Sequence, residues 1–301
     1  MAFSLPFPPL KRYRFAPILG WSASRYDAFS LCKRKYYYAY YSKYDKEFPD
    51  SQIKFLKGLT TQALAVGTLV HDLIAEMVAR LQKSRKPIDR DRLGAYVAKQ
   101  VENYVQTQRF FEIHYKTLES IPQQEIETAV KDMVFRFLDS PAWERLLALS
   151  DVELQSAIIE PEGYGETRVG GLKAYCKVDF LIPQGDKVLI LDWKTGKKDP
   201  DKFRKQLLGY ALFATENLGV STQDIEACVV FFKPEYEEVA LDLQAEEIAS
   251  FIQVVASETQ EMYALTTDIE NNLPRDKSEF EMLREGHGLC AYCEYKELCG
   301  R

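Results

Sequence analysis

Four cysteines constrain how the two ends of this 301-residue chain can be arranged. Cys290, Cys293 and Cys299 form a C-x2-C-x5-C pattern near the carboxyl end, and Cys32 lies far upstream. Thiolates at such short spacings can hold one compact metal centre. A centre that also used Cys32 would close nearly the whole chain into a loop and restrict its unfolded state. From the spacing alone, a zinc site and an iron–sulfur cluster both fit.

The composition is ordinary for a soluble globular protein, with 46% hydrophobic and 28% charged residues. The apolar runs are too short for a membrane span, and the first residues lack the pattern of a signal peptide. We therefore expect a cytoplasmic protein, in which structural disulfides are rare. Cys176 and Cys228 are expected to be small buried residues. The net charge of −6 argues mildly against a general nucleic-acid coat protein.

The pattern of residues changes from helix to strand near residue 151. Residues 24–41 predict a capped helix that begins at Ser24 and carries Cys32, and helical periodicity continues from 60 to about 150. The strands are predicted at 152–159, 170–182, 188–193 and 225–233, with helices at 201–216 and 245–265. These elements predict a mixed α/β core over 151–301, preceded by a mainly helical section over 1–150. We expect the two parts to form one integrated domain.

Acidic and basic side chains converge at the end of one predicted strand. Asp192 and Lys194 are two residues apart and project to the same face, whereas Trp193 projects into packing. Asp179 lies on the neighbouring strand, and the short turn at 183–186 predicts antiparallel pairing. Carboxylates suit Mg²⁺ or Mn²⁺, and a lysine can position a water or stabilise developing negative charge. A D-x-K sequence at a strand end can also be merely solvated.

Four further residues are candidates with weaker support from the residues alone. His71, on a predicted apolar helix, is either a packed core residue or a metal ligand through a neutral ring nitrogen. Glu153 lies in the first predicted strand, and the sequence supports equally a role as an additional acid of the site and a purely structural role. Gln206 and Tyr210 share a face of the next helix, whose first turns should lie near Lys194.

The ordered set of motifs resembles the PD-(D/E)XK nuclease superfamily, and in particular its RecB-like exonuclease branch. That branch includes CRISPR-associated exonucleases and AddB-type recombination nucleases with an iron–sulfur cluster. The similar segments are Gly67 to His71, Asp179 in KVDFL, Asp192-Trp-Lys194-Thr-Gly, Gln206 to Tyr210 and the four clustered cysteines. The resemblance covers 22–41, 60–75, 150–235 and 285–300, and it leaves the middle helical section unexplained.

This resemblance implies a restriction-endonuclease-like core with a central mixed sheet flanked by helices. Asp179 and Asp192 would hold Mg²⁺ or Mn²⁺ with His71 as a further ligand, and Lys194 would assist the attacking water. Gln206 and Tyr210 would contact or orient the DNA strand. The cysteines at 32, 290, 293 and 299 would hold a [4Fe–4S] cluster. Two departures are Lys33 after Cys32, where many relatives have proline, and aspartate rather than glutamate at Asp192.

Three functions remain open at the level of sequence. The resemblance favours a metal-dependent DNA exonuclease that acts at single-stranded ends, with a helicase, recombination or CRISPR protein as a possible partner. The second is a non-catalytic module that binds DNA or a helicase within a repair or recombination complex, although the intact acidic motif counts against it. The third is a structural protein whose chain ends are held together by a zinc ion bound to the cysteines. The tyrosines between residues 36 and 41 can stack on bases, but we expect several of them to pack in the core.

Overall fold

Helices make up most of the chain before residue 157 in the computed structural model, which describes residues 5–161 and 165–301. They are α1 (Ala23–Leu31), α2 (Lys33–Tyr41), α3 (Asp50–Lys57), α4 (Gln62–Lys83), α5 (Arg90–Thr107), α6 (Phe111–His114), α7 (Gln123–Leu138), α8 (Pro141–Ala148) and α9 (Asp151–Ser156). Two short strands, β1 (Leu59–Thr60) and β2 (Arg109–Phe110), pair in parallel among these helices.

Strands dominate after residue 157 and build a mixed sheet. They are β3 (Ile158–Ile159), β4 (Glu166–Val169), β5 (Leu172–Tyr175), β6 (Phe180–Gln184), β7 (Lys187–Lys194), β8 (Ile225–Phe231), β9 (Glu237–Leu241), β10 (Thr266–Asp268) and β11 (Leu273–Pro274). Helix α10 (Pro200–Leu218) connects β7 to β8, and α11 (Ala245–Tyr263) follows β9. The central sheet has the order β3-β6-β7-β8-β9, in which only the β7–β8 pair is parallel. The predicted mixed α/β core with a helical amino-terminal section is confirmed.

Strand β7 is buried on both faces because helices cover both sides of the sheet. Val188 and Ile190 pack into one hydrophobic core with α1, α2, α10 and α11. Leu189, Leu191 and Trp193 pack into a second core with α4, α5 and α7. The alternation of side chains along a strand produces this division. The last residues of β7 therefore lie between two rigid layers.

The helix predicted over 24–41 is interrupted at Cys32. Cys32 has an extended backbone (φ −158°, ψ 112°) and is both the C-cap of α1 and the N-cap of α2. The helix begins earlier than predicted, because the Ser22 hydroxyl accepts a hydrogen bond from the Arg25 amide. Ser22, rather than Ser24, is thus the N-cap.

The strand predicted over 152–159 is wrong for most of its length. Residues Asp151–Ser156 form α9, and only Ile158–Ile159 are extended. A capping box explains the difference: the Ser150 hydroxyl accepts from the Glu153 amide, and the Glu153 carboxylate accepts from the Ser150 amide. Local capping chemistry therefore overrides the weak alternation of apolar residues.

Two other strand predictions need correction. The single strand predicted over 170–182 is divided into β5 and β6, which belong to different sheets: β5 pairs with β4, and β6 pairs with β3 and β7. The predicted strand also begins too early, because Gly170 and Gly171 have positive φ angles and turn β4 back onto β5. The edge strand β9 was not predicted, since its sequence is rich in glutamate. The strands predicted at 188–193 and 225–233 and the helices at 201–216 and 245–265 are confirmed within a few residues.

Most of the tyrosines in α2 belong to the core, as expected. Tyr36, Tyr37, Tyr38 and Tyr41 are buried, whereas Tyr40 is only partly buried. Within the described parts of the chain, the structure contains no helix of the length and apolar character that a membrane crossing requires.

Candidate active site

The carboxyl end of β7 carries an ion pair inside the protein. Asp192 has no solvent exposure, and its Oδ2 atom lies 2.6 Å from the Nζ atom of Lys194. Trp193, between them, faces the opposite core and contacts the rings of Phe137 and Phe180. Strand alternation therefore separates the charged pair from the packing residue.

Asp179 lies directly beside Asp192 because β6 and β7 are antiparallel, as predicted. The register pairs Phe180 with Leu191, so the preceding and following residues are also opposite each other. One carboxylate oxygen of Asp179 accepts a hydrogen bond from the Trp193 amide at 3.0 Å. The two acids thus meet at the edge of the sheet where β6 begins and β7 ends.

Glu160 completes a row of three acids, and the sequence analysis did not identify it. Strand β3 pairs with β6 so that Ile159 is opposite Phe180, which places Glu160 opposite Asp179. The backbone amide of Glu160 also donates to the carbonyl of Asp179 at 3.3 Å. The row therefore runs Glu160, Asp179, Asp192 across three adjacent strands. The detectable signal was an acid directly after the apolar pair Ile158–Ile159.

Glu153, the additional acid suggested by the sequence, does not belong to this row. Its carboxylate caps α9 through the Ser150 amide at 2.8 Å, and hydrogen bonds from Ser150 lower its pKa. The sequence predicts a strand at this position, but Glu153 instead belongs to the capping box at the start of α9.

His71 reaches the acid row from α4. Its Nε2 atom lies 3.0 Å from the carbonyl oxygen of Trp193, and its Nδ1 atom lies 3.5 Å from Oδ2 of Asp179. A carbonyl oxygen only accepts, so Nε2 carries the hydrogen and Nδ1 presents its lone pair to the carboxylate. Burial, and then the charge of Lys194, lowers the pKa of His71, which favours the neutral form of the ring. A metal-ligating histidine typically donates its other N–H to a carbonyl in this way.

A glycine allows α4 to approach the end of β7. A Cβ atom at Gly67 would lie 3.2 Å from the Oγ1 atom of Thr195, which is tighter than ordinary contact. Gly67 is one helical turn before His71, so the close approach of the helix brings the imidazole to the sheet.

The acid row is electrostatically suited to a divalent cation. Burial, together with the charge of Asp179, raises the pKa of Asp192 to about 7, and burial raises the pKa of Asp179 to about 6. Ligand atoms of His71, Glu160 and Asp179 lie within 4.8 Å of one another. Apart from the ion pair between Oδ2 and Lys194, the Asp192 carboxylate accepts no hydrogen bond of regular geometry from the described residues. Carboxylate oxygens and a neutral imidazole facing one small space fit Mg²⁺ or Mn²⁺.

A chain of polar contacts leads from Lys194 into α10. The Lys194 ammonium donates to Oε1 of Gln206 at 3.1 Å, and Nε2 of Gln206 donates to the Tyr210 hydroxyl. Tyr210 is buried, and Gln206 is partly buried rather than exposed. The structure therefore brings together six of the residues that the sequence analysis assigned to the site: His71, Asp179, Asp192, Lys194, Gln206 and Tyr210.

A cleft of about 850 Å³ opens beside these residues. Asp179, Gln206 and Tyr210 line one side of it, and residues of α1, α2 and α3 line another. Five basic side chains also line the cleft: Arg25, Lys57, Lys177, Lys202 and Lys205.

The four cysteines of the sequence pattern line one small cavity of about 170 Å³. Cys32 lies between α1 and α2, and Cys290, Cys293 and Cys299 lie in the short helical turns Gly288–Tyr292 and Lys296–Cys299 or next to them. All four are free thiols. The Arg301 guanidinium donates to Sγ of Cys290 at 3.0 Å. Cys176 and Cys228 are buried elsewhere, as expected.

Comparison with known proteins identifies the class. A family model described as PD-(D/E)XK nuclease superfamily matches residues 20–300. The chain belongs to this superfamily of nucleases. A solved structure titled "Crystal structure of SSO0001" is 17% identical and covers 69% of this chain and 96% of its own, with a TM-score of 0.31. No curated protein matches the sequence.

Proposed function

We propose that the protein is a metal-dependent DNA exonuclease of the RecB-like branch that acts at single-stranded ends. The proposal that the protein is catalytic is supported by the acid row of Glu160, Asp179 and Asp192. His71 and Lys194 lie directly beside this row. When bound, Mg²⁺ or Mn²⁺ would polarise a phosphodiester and lower the pKa of a water molecule. His71, Glu160, Asp179 and Asp192 are the residues that would hold the ion.

The protein's own groups have separate tasks in this proposal. Lys194 directs its ammonium toward the acid row and stabilises negative charge that develops on the scissile phosphate. Gln206 accepts a hydrogen bond from Lys194 and thereby fixes the direction of the ammonium. Tyr210, held by Gln206, borders the cleft and would contact the strand.

We propose that the four cysteines of the small cavity bind a [4Fe–4S] cluster that fastens the chain ends. Three features support this: the shared cavity, the free thiols, and the nearby Arg301 cation, which offsets the charge of an anionic cluster. Among the described residues, no three cysteine sulfurs lie within 4.8 Å of one another. A tetrahedral zinc site, with Zn–S near 2.3 Å, needs sulfurs about 3.8 Å apart. The wider separation of the sulfurs therefore favours a larger centre, such as the cluster, over a single zinc ion.

The deciding experiment measures cleavage of end-labelled oligonucleotides with Mn²⁺. Single-stranded DNA, the matching duplex and RNA of the same sequence are compared, with Asp192→Asn as the matched inactive control. We expect stepwise shortening of single-stranded DNA by the wild type alone. Binding of DNA without cleavage under these conditions would favour the alternative, a non-catalytic module that binds DNA or a helicase. Stoichiometric zinc without acid-labile sulfide would refute the cluster proposal.

A further inference from the structure

Two cations in the wall of the cleft opposite the acid row share one aromatic ring. The guanidinium carbon of Arg25 lies 4.2 Å from the centre of the Tyr40 ring, and Nζ of Lys57 lies 5.2 Å from it. These residues belong to α1, α2 and α3, so three separate elements converge there. Tyr40 is also the tyrosine of α2 that remains partly exposed.

The positive charges of Arg25 and Lys57 have no counter-anion in the described residues. Each side chain donates instead to a backbone carbonyl at 2.5 Å, Arg25 to Gly20 and Lys57 to Ala39. Among the side chains that the structure describes, no carboxylate lies within ion-pair distance of either one. Partial desolvation of its ammonium group, followed by the like charge of Arg25, lowers the pKa of Lys57. An anion entering the cleft would relieve this repulsion.

Two other basic residues of the cleft, Lys177 and Lys205, provide a contrast. Lys177 pairs with Glu160 at 2.5 Å, and Lys205 pairs with Glu258 at 2.5 Å. Their charges are neutralised within the protein, so they offer little free charge to a ligand. The cleft cations without an ion pair among the described side chains are therefore Arg25, Lys57 and Lys202, and of these Arg25 and Lys57 converge on the Tyr40 ring, whereas Lys202 lies near Phe203. This positive charge is present although the whole chain carries a net charge of −6.

We propose that Arg25 and Lys57 form a second phosphate-binding subsite that holds the DNA strand at a distance from the scissile phosphate. Tyr40 is a positioning residue, because its ring holds both cations in place by cation–π contact. Arg25, Lys57 and Asp179 line the same continuous cleft, so one strand can contact both places. This inference rests on the proposed function and adds the strand contact that the acid row does not supply.

The test measures how salt affects binding of a fluorescent single-stranded oligonucleotide, with the full chain and without divalent ions, so that no cleavage occurs. Lys57→Gln and Arg25→Gln each remove a charge and retain a hydrogen-bond donor. For single strands, each lost phosphate contact reduces the slope of log K against log salt by about 0.7. We expect that reduction in both variants, with weaker binding that does not depend on sequence, and recovery in Lys57→Arg.

Lys11→Gln is the matched control, because Lys11 also donates to a backbone carbonyl, that of Glu216 at 3.0 Å, and does not line the cleft. Its slope should equal that of the wild type. Tyr40→Phe should bind like the wild type, whereas Tyr40→Leu should bind more weakly. Thermal unfolding of each variant separates lost contacts from lost structure, and Lys57 is exposed at the end of α3, so its replacement leaves the core unchanged.

The outcomes distinguish this inference from the proposed function. A wild type that binds and cleaves DNA, with unchanged slopes in both folded variants, would overturn the subsite and leave the nuclease proposal intact. A wild type that neither binds nor cleaves DNA would overturn both. Inorganic phosphate at constant ionic strength should compete poorly, because a strand offers several phosphates. Competition as strong as that of the oligonucleotide would identify a site for free phosphate instead.

Discussion

Lys194 makes its two polar contacts with groups of different charge, and this determines what its removal should do. It contacts the carboxylate of Asp192 at 2.6 Å and the amide oxygen of Gln206 at 3.1 Å. It is not a metal ligand in our proposal. We expect Lys194→Met to lower turnover by roughly 10²–10³-fold, which is typical for loss of one charge-stabilising donor, while Mn²⁺ affinity is retained.

Asp192→Asn should differ from Lys194→Met in metal binding. Loss of the buried carboxylate removes a proposed ligand, so both cleavage and Mn²⁺ affinity should fall. Calorimetric titration of Mn²⁺ into the wild type and the two variants makes the comparison. Equal Mn²⁺ affinity in all three proteins would show that Asp192 is not a ligand.

The raised pKa values of the two aspartates predict how stability depends on pH without metal. Burial raises the pKa of Asp192 to about 7 and of Asp179 to about 6, above the ordinary value of 3.8. The folded state therefore binds more protons than the unfolded state between about pH 4 and pH 7, and these groups destabilise it as pH rises through that window. Unfolding curves should show that Asp192→Asn loses less stability than the wild type as pH rises through this window. Added Mn²⁺ should also reduce the loss of stability in the wild type. An identical pH profile in wild type and variant would contradict the assignment.

The site was only partly predictable from the sequence, and the acids illustrate why. Asp179 and Asp192 were found because a short turn fixes the pairing of two consecutive strands. Glu160 was missed because its strand has two residues and pairs with β6 across the β4–β5 hairpin. Glu153 was wrongly considered as an additional acid of the site, because the same residues fit both a strand with alternating side chains and a helix capping box.

At the scale of elements, the close contact between α4 and the end of β7 sets the position of His71. A side chain at Gly67 would press against Thr195, whose Oγ1 atom lies 3.2 Å from the Cβ position. We expect Gly67→Val to displace α4 and to lower cleavage more strongly than DNA binding, because the proposed metal ligand His71 moves while the cleft wall of α1 to α3 does not. Parallel cleavage and binding assays measure the difference.

Gly94→Ala in α5 is the control for that change. Its Cβ atom would meet its nearest neighbour, Phe135, at 3.8 Å, which is ordinary contact. Replacing a helical glycine with alanine should stabilise the protein by about 0.5–1 kcal/mol and leave activity unchanged. Loss of cleavage in both variants would show that the activity responds to helix substitutions in general rather than to the α4–β7 contact.

Elements with strong local signals were predicted well, and those that depend on pairing partners were not. The periodicity of α4 and the apolar run of β7 are sufficient to identify them. The break at Cys32 is different, because residues on both sides of it favour helix and the extended backbone there follows from contacts with the carboxyl-terminal segment. Arg34, for example, donates its backbone amide to the carbonyl of Glu281 at 3.1 Å.

At the scale of the whole molecule, we propose that the helical section and the sheet form one domain, since α4, α5 and α7 share a core with β7 and β8. The cysteine centre then acts on stability. We expect Cys32→Ala to lose iron and to lower Tm by roughly 10 °C or more, because metal binding is coupled to folding. Iron analysis and thermal unfolding of the same samples test this.

Cys228→Ala is the control, because Cys228 is buried in β8 away from the cysteine cavity. It should retain its iron. If Cys32→Ala loses both iron and activity but unfolds at the wild-type temperature, the cluster takes part directly in DNA binding or cleavage rather than in stability.

The packing of α2 against the carboxyl-terminal segment has an expected consequence for when the proposed nuclease becomes active during its synthesis. Tyr37 of α2 packs on Phe280 with ring centres 4.9 Å apart, and Tyr38 packs on Tyr295 at 5.4 Å. These partners leave the ribosome long after the acid row of β3, β6 and β7. A nascent chain therefore holds its acidic residues early, but the α2 wall that carries Tyr40 still lacks the partners on which it packs. We expect the proposed nuclease to become active only after these last residues have been made, which would protect the nucleic acids nearest to the chain during its synthesis.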